Sequence, residues 1–191
     1  MTKSCHATPP GNMIPVMSDI AGLFASLSPH PVSFAAGSAV FRIGDPVRRV
    51  YLVHTGAIHL VRHHQNGAPL VLQRAGPGSI LAEASVFSEH YHCDAVATAA
   101  TDAVWMSRHV LRHRLATDGT FAQVWARHLG HEVQRARLQA EIMSLKTVSG
   151  RLDAWLALRG TLPPKGEWTA LAAEIGVSPE ALYREMAKRR R

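Results

Sequence analysis

The chain has 191 residues, of which 47% are hydrophobic and 18% charged, a composition typical of globular rather than disordered proteins. The apolar runs are too short for a transmembrane helix, and residues 1–19 lack the features of a secretory signal, so we expect a cytoplasmic protein without a membrane partner. Having only Cys5 and Cys93 excludes a disulfide framework and a four-cysteine iron–sulfur site. The net charge of +7, with 12 histidines uncounted, favours a polyanionic partner such as nucleic acid.

The first part of the chain changes character twice. Residues 1–19 mix Pro, Ser, Thr and Met without periodicity, which predicts a loose arm, and residues 20–28 carry apolar side chains at helical spacing. From 32 to 106, glycines punctuate short apolar runs at the spacing of a β-roll or sandwich. The features predicted within this region are strands over 50–53, 58–61 and 70–72, a hairpin turn at 65–67 and a closing strand pair over 95–106.

A long helix is predicted from 121 to 146, and its apolar residues form two stripes. The longer stripe follows helical spacing and consists of Leu129, Val133, Ala136, Ala140 and Met143. The shorter stripe consists of Leu138, Ile142 and Leu145. Two stripes indicate two packing partners, so we interpret the longer stripe as a homodimer interface and the shorter one as a contact with the helix's own domain. The alternative is a helix packed twice within one monomer.

The segment after this helix predicts three shorter helices, the last two of which form a helix-turn-helix. The helices are expected over 151–158, 168–175 and 179–188, with a connector at 163–166. Gly176 suits a turn with positive φ, Ser178 is a good N-cap, and Pro179 suits the first helical position. The side chains expected to face inward are Leu171, Ala172, Ile175, Val177, Leu182 and Met186. An ordinary helical hairpin is the alternative.

A helix-turn-helix determines which face of its second helix points outward, and Glu180, Tyr183 and Arg184 fall on that face. Arg184 can donate two hydrogen bonds to guanine and Glu180 can accept one from cytosine, which predicts double-stranded DNA as a partner. The predicted phosphate contacts are the hydroxyls of Thr169 and Ser178 and the basic tail of Lys188, Arg189, Arg190 and Arg191. The alternative for the tail is a solvated helix end whose cations interact favourably with the helix dipole.

At this point the chain resembles the cyclic-AMP receptor protein/FNR family of transcription regulators, from about Phe34 to Arg191. Residues 41–45 and 50–56 look like the early β-roll of that family. Residues 76–83 look like the entry to its phosphate-binding cassette, and 148–152 are similar to its hinge. Glu180 and Arg184 match base-contacting positions of its recognition helix.

The resemblance implies an α+β fold: a double-stranded β-helix of the cyclic-nucleotide-binding type, a long dimerisation helix and a C-terminal helix-turn-helix. The expected division is an arm over 1–19, a sensor roll over 20–116, a dimerisation helix over 117–147 and a DNA-binding domain over 148–191. The family normally continues into a β-hairpin wing where this sequence stops, so we expect that domain to be truncated. RNA polymerase is a further partner that the resemblance implies.

The cassette departs from that of the family members that bind cyclic AMP. Glu83, which would hold the ribose, is present, whereas Cys93 and Asp94 stand where those members have Arg-Ser or Arg-Thr. Loss of the arginine removes a charge-assisted bond to phosphate worth about 1.5–3 kcal/mol, and Asp94 adds repulsion. We therefore predict a neutral to acidic effector pocket, formed by Glu83, His90, His92, Cys93 and Asp94, that does not bind cyclic AMP.

His90, His92 and Cys93 are residue types that ligate haem iron or a transition metal. The family contains a haem-based gas-sensing branch with Cys and His in about this stretch, which favours a haem- or metal-dependent sensor as an alternative function. An extended segment would point Cys93 away from the two histidines, whereas a loop would allow all three to bind one ion. A thiol redox role for Cys93 and a site without cofactor also stay open.

Two further features bear on function. Other histidines pair at helical spacing, namely His109 with His113 and His128 with His131, although 12 histidines make chance pairs common. The sequence contains no His-x-His followed by a suitably spaced Glu and His, so we do not expect an enzyme. A ligand-free, dimeric interaction module without DNA binding is the remaining function class.

Overall fold

The computed structural model describes residues 14–63 and 69–190, and the side chains of 20–63 and 70–190. These residues divide into two units, which we call the roll unit, ending at Leu129, and the helical unit, beginning at Gly130. The predicted hairpin turn at 65–67, Cys5 and the first thirteen residues of the predicted arm lie outside the described residues. Within the described ranges, no helix is long and apolar enough to cross a membrane.

Eight strands form two four-stranded antiparallel sheets in the roll unit. The sheet orders are β1-β8-β3-β6 and β2-β7-β4-β5. The predicted strands over 50–53, 58–61 and 70–72 are confirmed and lie in β3, β4 and β5. The bounds are β1 His30–Phe34, β2 Ala39–Phe41, β3 Arg49–Val53, β4 Ile58–His63, β5 Pro69–Ala75, β6 Ile80–Leu81, β7 Asp94–Ala97 and β8 Thr101–Ser107.

The prediction of a closing strand pair over 95–106 is wrong in its pairing. β7 pairs with β2 and β4, whereas β8 pairs with β1 and β3 in the other sheet. The three residues between them carry the chain from one sheet to the other, and the Thr98 amide donates to the carbonyl of Ala57. Alternation along a sequence identifies strands but does not show which strands they pair with.

One core lies between the sheets, and a second lies between the first sheet and three helices. β3 contributes to both cores, because Tyr51 and Val53 face the interior of the roll while Val50 and Leu52 face the helices. This double burial explains why the strand reads as an unbroken apolar run. The helices are α1 Ile14–Ala25, α2 Arg108–Thr117 and the first part of α3 Gly119–Ser144.

Helix α1 begins at Ile14, so the predicted arm over 1–19 extended too far. The start of the helix was missed because of Pro15, since proline is usually counted as a helix breaker. In the first turn, however, its missing N–H would have had no partner in any case.

The helical unit contains the rest of α3 and three shorter helices, α4 Val148–Arg159, α5 Trp168–Glu174 and α6 Pro179–Arg189. The predicted helices are confirmed to within a few residues, and the connector at 163–166 runs into a 3₁₀ turn over Lys165–Glu167. Their apolar faces meet in one core, whose buried members are Ile142, Leu152, Trp155, Trp168, Leu171, Ala172, Ile175, Leu182 and Met186.

Candidate nucleic-acid interface and sensor site

The turn between α5 and α6 has the geometry predicted for a helix-turn-helix. Gly176 lies at φ 66°, a left-handed conformation that glycine adopts without steric cost. The Val177 amide donates to the Ala172 carbonyl at 2.9 Å, which closes the turn. Ser178 caps α6, because its Oγ accepts a hydrogen bond from the Ala181 amide at 3.2 Å, and Pro179 occupies the first turn.

The outward face of α6 presents the residues expected to contact bases. Glu180 and Arg184 are exposed, and Tyr183 lies against Trp168 with 5.3 Å between ring centroids. A hydrogen bond from its own backbone amide, one from the Ser178 hydroxyl and the charge of Arg184 hold the pKa of Glu180 below its usual range. Glu180 is therefore an ionised acceptor at neutral pH, beside a guanidinium donor.

A groove runs along the side of α6, and Thr169 stands exposed in the first turn of α5. Arg184 and Lys188 place two positive charges along the groove. The residues that line it are Val148, Ala181, Arg184, Glu185, Ala187 and Lys188. Positive charge along a groove beside an exposed helix suits a phosphate backbone.

The basic tail is divided between exposed and engaged cations. Lys188 is exposed, the Arg190 guanidinium stacks over the Trp168 ring at 5.5 Å, and Arg191 lies outside the described residues. Arg189 is held within the helical unit: it contacts Asp153 at 2.7 Å and Glu185 at 2.8 Å, and donates to Ser149. The expectation that Arg189 binds phosphate does not fit its surroundings, because its donors already have partners in α4 and α6.

The two apolar stripes of α3 have different environments. The shorter stripe packs within the helical unit through Ile142, which is buried in its core. Along the longer stripe, Val133 and Met143 are 49% and 44% exposed, and Ala136 and Ala140 are also exposed. Leu129 is half-buried against the helices of the roll unit. The chain by itself therefore leaves most of the longer stripe in contact with solvent.

The predicted entry to the cassette, residues 76–83, contains a strained residue. Ala82 lies at φ 70°, where a side chain is disfavoured, immediately before a 3₁₀ turn over Glu83–Ser85. The Glu83 carboxylate accepts a hydrogen bond from the Gln73 side chain at 3.3 Å, and the same Gln73 amide donates to the Ile80 carbonyl. Gln73, which the sequence analysis did not single out, thus ties β5 to the start of the cassette.

The predicted metal ligands His90, His92 and Cys93 are not brought together. His90 and His92 are exposed, whereas Cys93 is 3% exposed and points into the core between the sheets. Exposure alternates along this segment, because Tyr91 and Cys93 are buried whereas His90 and His92 are exposed. Across the described ranges, no three His, Cys, Asp or Glu side chains gather as a metal site. Burial also raises the pKa of the Cys93 thiol, with Asp94 and Glu83 adding to the shift, which disfavours a reactive thiolate.

The predicted pocket residue Asp94 has its partners outside the predicted set. Asp94 Oδ1 accepts from the Ile43 amide at 2.8 Å and Oδ2 lies 3.4 Å from Nδ1 of His63. Meanwhile Arg62 donates to the His92 carbonyl at 3.1 Å, and its charge acts on Cys93 by lowering the thiol pKa. The environment of Cys93 therefore contains a cation from β4 as well as Glu83.

Comparison with known proteins identifies the roll. Residues 31–118 match the family model described as "Cyclic nucleotide-binding domain". The roll is a cyclic nucleotide-binding domain. This domain carries the two sheets, the cassette and α2, and its match confirms the predicted fold.

The chain is also similar to named regulators. It is 27% identical over 144 residues to the "CRP-like cAMP-activated global transcriptional regulator" of Mycobacterium tuberculosis, covering 69% of this chain and 64% of that protein. It is 28% identical over 177 residues to the "Cyclic AMP receptor protein" of Thermus thermophilus, covering 85% and 82%. The structure of FixK2 from Bradyrhizobium japonicum superposes with a TM-score of 0.69 at 18% identity, covering 85% and 84%. The resemblance found in the sequence is thereby confirmed.

Proposed function

We propose that this protein is a cytoplasmic, homodimeric, DNA-binding transcription regulator in which the cyclic nucleotide-binding domain serves as a sensor. The observation that carries the proposal is the capped α6, with Glu180 and Arg184 exposed side by side on its outward face. The names of the relatives support it. Thr169, Ser178, Lys188, Arg190 and Arg191 are the proposed phosphate contacts, and RNA polymerase is a further partner expected from the resemblance.

Arg184→Ala should cost about 1–3 kcal/mol of affinity for the operator and relax specificity at one base step in each half-site, because a bidentate contact to guanine is lost. The operator is first selected from genomic fragments, and binding is then followed by gel shift at several salt concentrations. Lys165→Ala, an exposed cation of the connector, is the matched control and should bind as the wild type does. If Arg184→Ala binds operator and random DNA with the same affinities as the wild type, α6 is not the recognition helix.

The same gel shifts separate a regulator from an interaction module that binds no DNA. A regulator that neutralises phosphates binds less tightly as salt rises, because counterions are released on binding. Lys188→Ala should weaken binding to all sequences alike and flatten this salt dependence. Absence of any salt-dependent shift with genomic fragments would favour the interaction module.

We propose that the longer stripe of α3 forms the dimer interface, since its apolar face is open in the single chain. Val133→Asp would bury an unpaired carboxylate there and should yield monomers with weak DNA binding. Gln134→Asp places the same group at an exposed position on another face of α3 and should leave the dimer intact. Sedimentation velocity distinguishes the two states. An undisturbed dimer in Val133→Asp would contradict the assignment of this stripe.

We propose that the effector is not cyclic AMP. Cys93 supplies no charge where the cassette arginine would bind the phosphate, and one oxygen of the Glu83 carboxylate already accepts a hydrogen bond from Gln73. A missing charge-assisted bond of about 1.5–3 kcal/mol lowers affinity by about tenfold or more. Calorimetry with cyclic AMP should therefore show no measurable heat of binding at micromolar concentrations of the protein. Tight binding would mean that another cation, such as Arg62, holds the phosphate.

A further inference from the structure

One group of potential metal ligands lies outside the site described above. His109 and His113 are both exposed on α2 and are separated by one helical turn. Side chains four residues apart on a helix have Cβ atoms about 5–6 Å apart, so two imidazole nitrogens can reach the same ion. Both histidines line one groove, whose other members are Ser26, Leu27, Ser28, Val110 and Arg114.

The facing wall of this groove favours a cation. Ser26, Leu27 and Ser28 directly follow α1, and the C-terminal end of a helix carries the negative end of its dipole. The serine hydroxyls are further oxygen donors. Among the described residues, Arg114 is the only lysine or arginine that lines the groove, and its charge is offset by Asp118 at 3.0 Å.

The geometry points to a surface site for a divalent first-row transition ion, bound by His109 and His113. Because no cluster of three such ligands exists among the described residues, the ion would complete its coordination with water and with oxygen atoms of the facing wall. Imidazole nitrogen suits zinc, nickel and copper, and their affinity rises toward copper. This site is separate from the cassette, and its test does not depend on DNA binding or on the effector.

The other histidine pair predicted at helical spacing, His128 with His131, has different surroundings. His128 is buried against Trp125, with 5.9 Å between the ring centroids, so it does not stand on an open surface. His90 and His92 are exposed but do not lie on a helix. Only the pair on α2 combines exposure, helical spacing and a shared groove within the described residues.

The test uses the full chain without a histidine tag, stripped of metal with EDTA and dialysed. Zinc chloride is titrated by calorimetry into the wild type, His109→Ala, His113→Ala and the control His54→Ala, which removes an exposed histidine elsewhere. The wild type and the control should each bind one zinc ion with the same affinity. Each α2 variant should weaken it at least about tenfold, since loss of even an outer-shell partner costs about 10–100-fold. Zinc should also raise the Tm of the wild type more than that of the variants.

A direct readout keeps the proposal falsifiable if a variant is unstable. Sub-stoichiometric copper should broaden the amide NMR signals of residues 26–28 and 109–113 of the wild type before those of the rest of the chain. Broadening centred elsewhere, or zinc binding of unchanged affinity and stoichiometry in both alanine variants, would overturn the site.

Discussion

Gly56→Ala should lower the free energy of unfolding by about 2–5 kcal/mol, because the substitution combines backbone strain with a steric clash. Gly56 lies at φ 77° in the link between β3 and β4. A Cβ atom there would lie 2.7 Å from the Thr101 Cα and closer still to the Ala100 carbonyl oxygen. Both neighbours are backbone atoms where the chain passes from one sheet to the other. Removing the clash therefore requires the two sheets to shift.

Gly37→Ala is the matched control for this prediction. Gly37 lies at φ 82°, but a Cβ there would meet no atom within 4 Å. It should therefore cost only the strain of a left-handed conformation, about 1–2 kcal/mol. Urea unfolding of both variants, followed by tryptophan fluorescence, measures the difference. Equal losses of stability would show that the close approach at Gly56 does not constrain the fold.

Local chemistry explains which parts of the fold were predictable. The strands at 50–53 and 58–61, and the turn at Gly176 and Ser178, are encoded by neighbouring residues, through apolar runs, a positive φ and a side-chain cap. Such signals need no knowledge of the rest of the chain. The two stripes of α3 were also readable, because helical periodicity shows which residues share a face.

The parts that were wrong depend on contacts between distant residues. Asp94 was expected to act in the effector pocket, and the sequence did not show that its carboxylate accepts a hydrogen bond from the Ile43 amide, 51 positions away. Arg189 was expected to meet phosphates, but Asp153 and Ser149 of α4 bind it. A sequence shows that a charge is present, whereas its partner is determined by tertiary packing. The candidate site was therefore predictable on α6 and much less so in the cassette.

Arg151, which the sequence analysis did not single out, makes several hydrogen bonds within the helical unit. Its guanidinium donates four hydrogen bonds, to the carbonyls of Met143 and Leu145 at the C-terminal end of α3, and to those of Ile175 and Gly176 in the turn before α6. These bonds satisfy carbonyls at the C-terminal ends of two helices, which have no helical partners of their own. One side chain thus connects α3 to the helix-turn-helix.

Arg151→Met should therefore destabilise the helical unit by about 3–5 kcal/mol, because charge-assisted bonds contribute about 1.5–3 kcal/mol each and their loss is only partly offset by water. Methionine keeps most of the aliphatic stem, so the loss reflects hydrogen bonding rather than packing. Amides of α4, α5 and α6 should exchange faster with deuterium, and affinity for DNA should fall because α6 is held less firmly.

Arg159→Met is the control, since Arg159 makes one exposed pair with Glu174 at 3.2 Å. Exposed pairs contribute about 0–1 kcal/mol, so this variant should exchange and unfold almost as the wild type does. Arg151→Lys separates charge from geometry: an ammonium group cannot reach four carbonyls in two segments at once, and it should recover only a small part of the loss. If Arg151→Met is no more costly than Arg159→Met, the four bonds do not hold the turn, and the position of α6 depends on the apolar core alone.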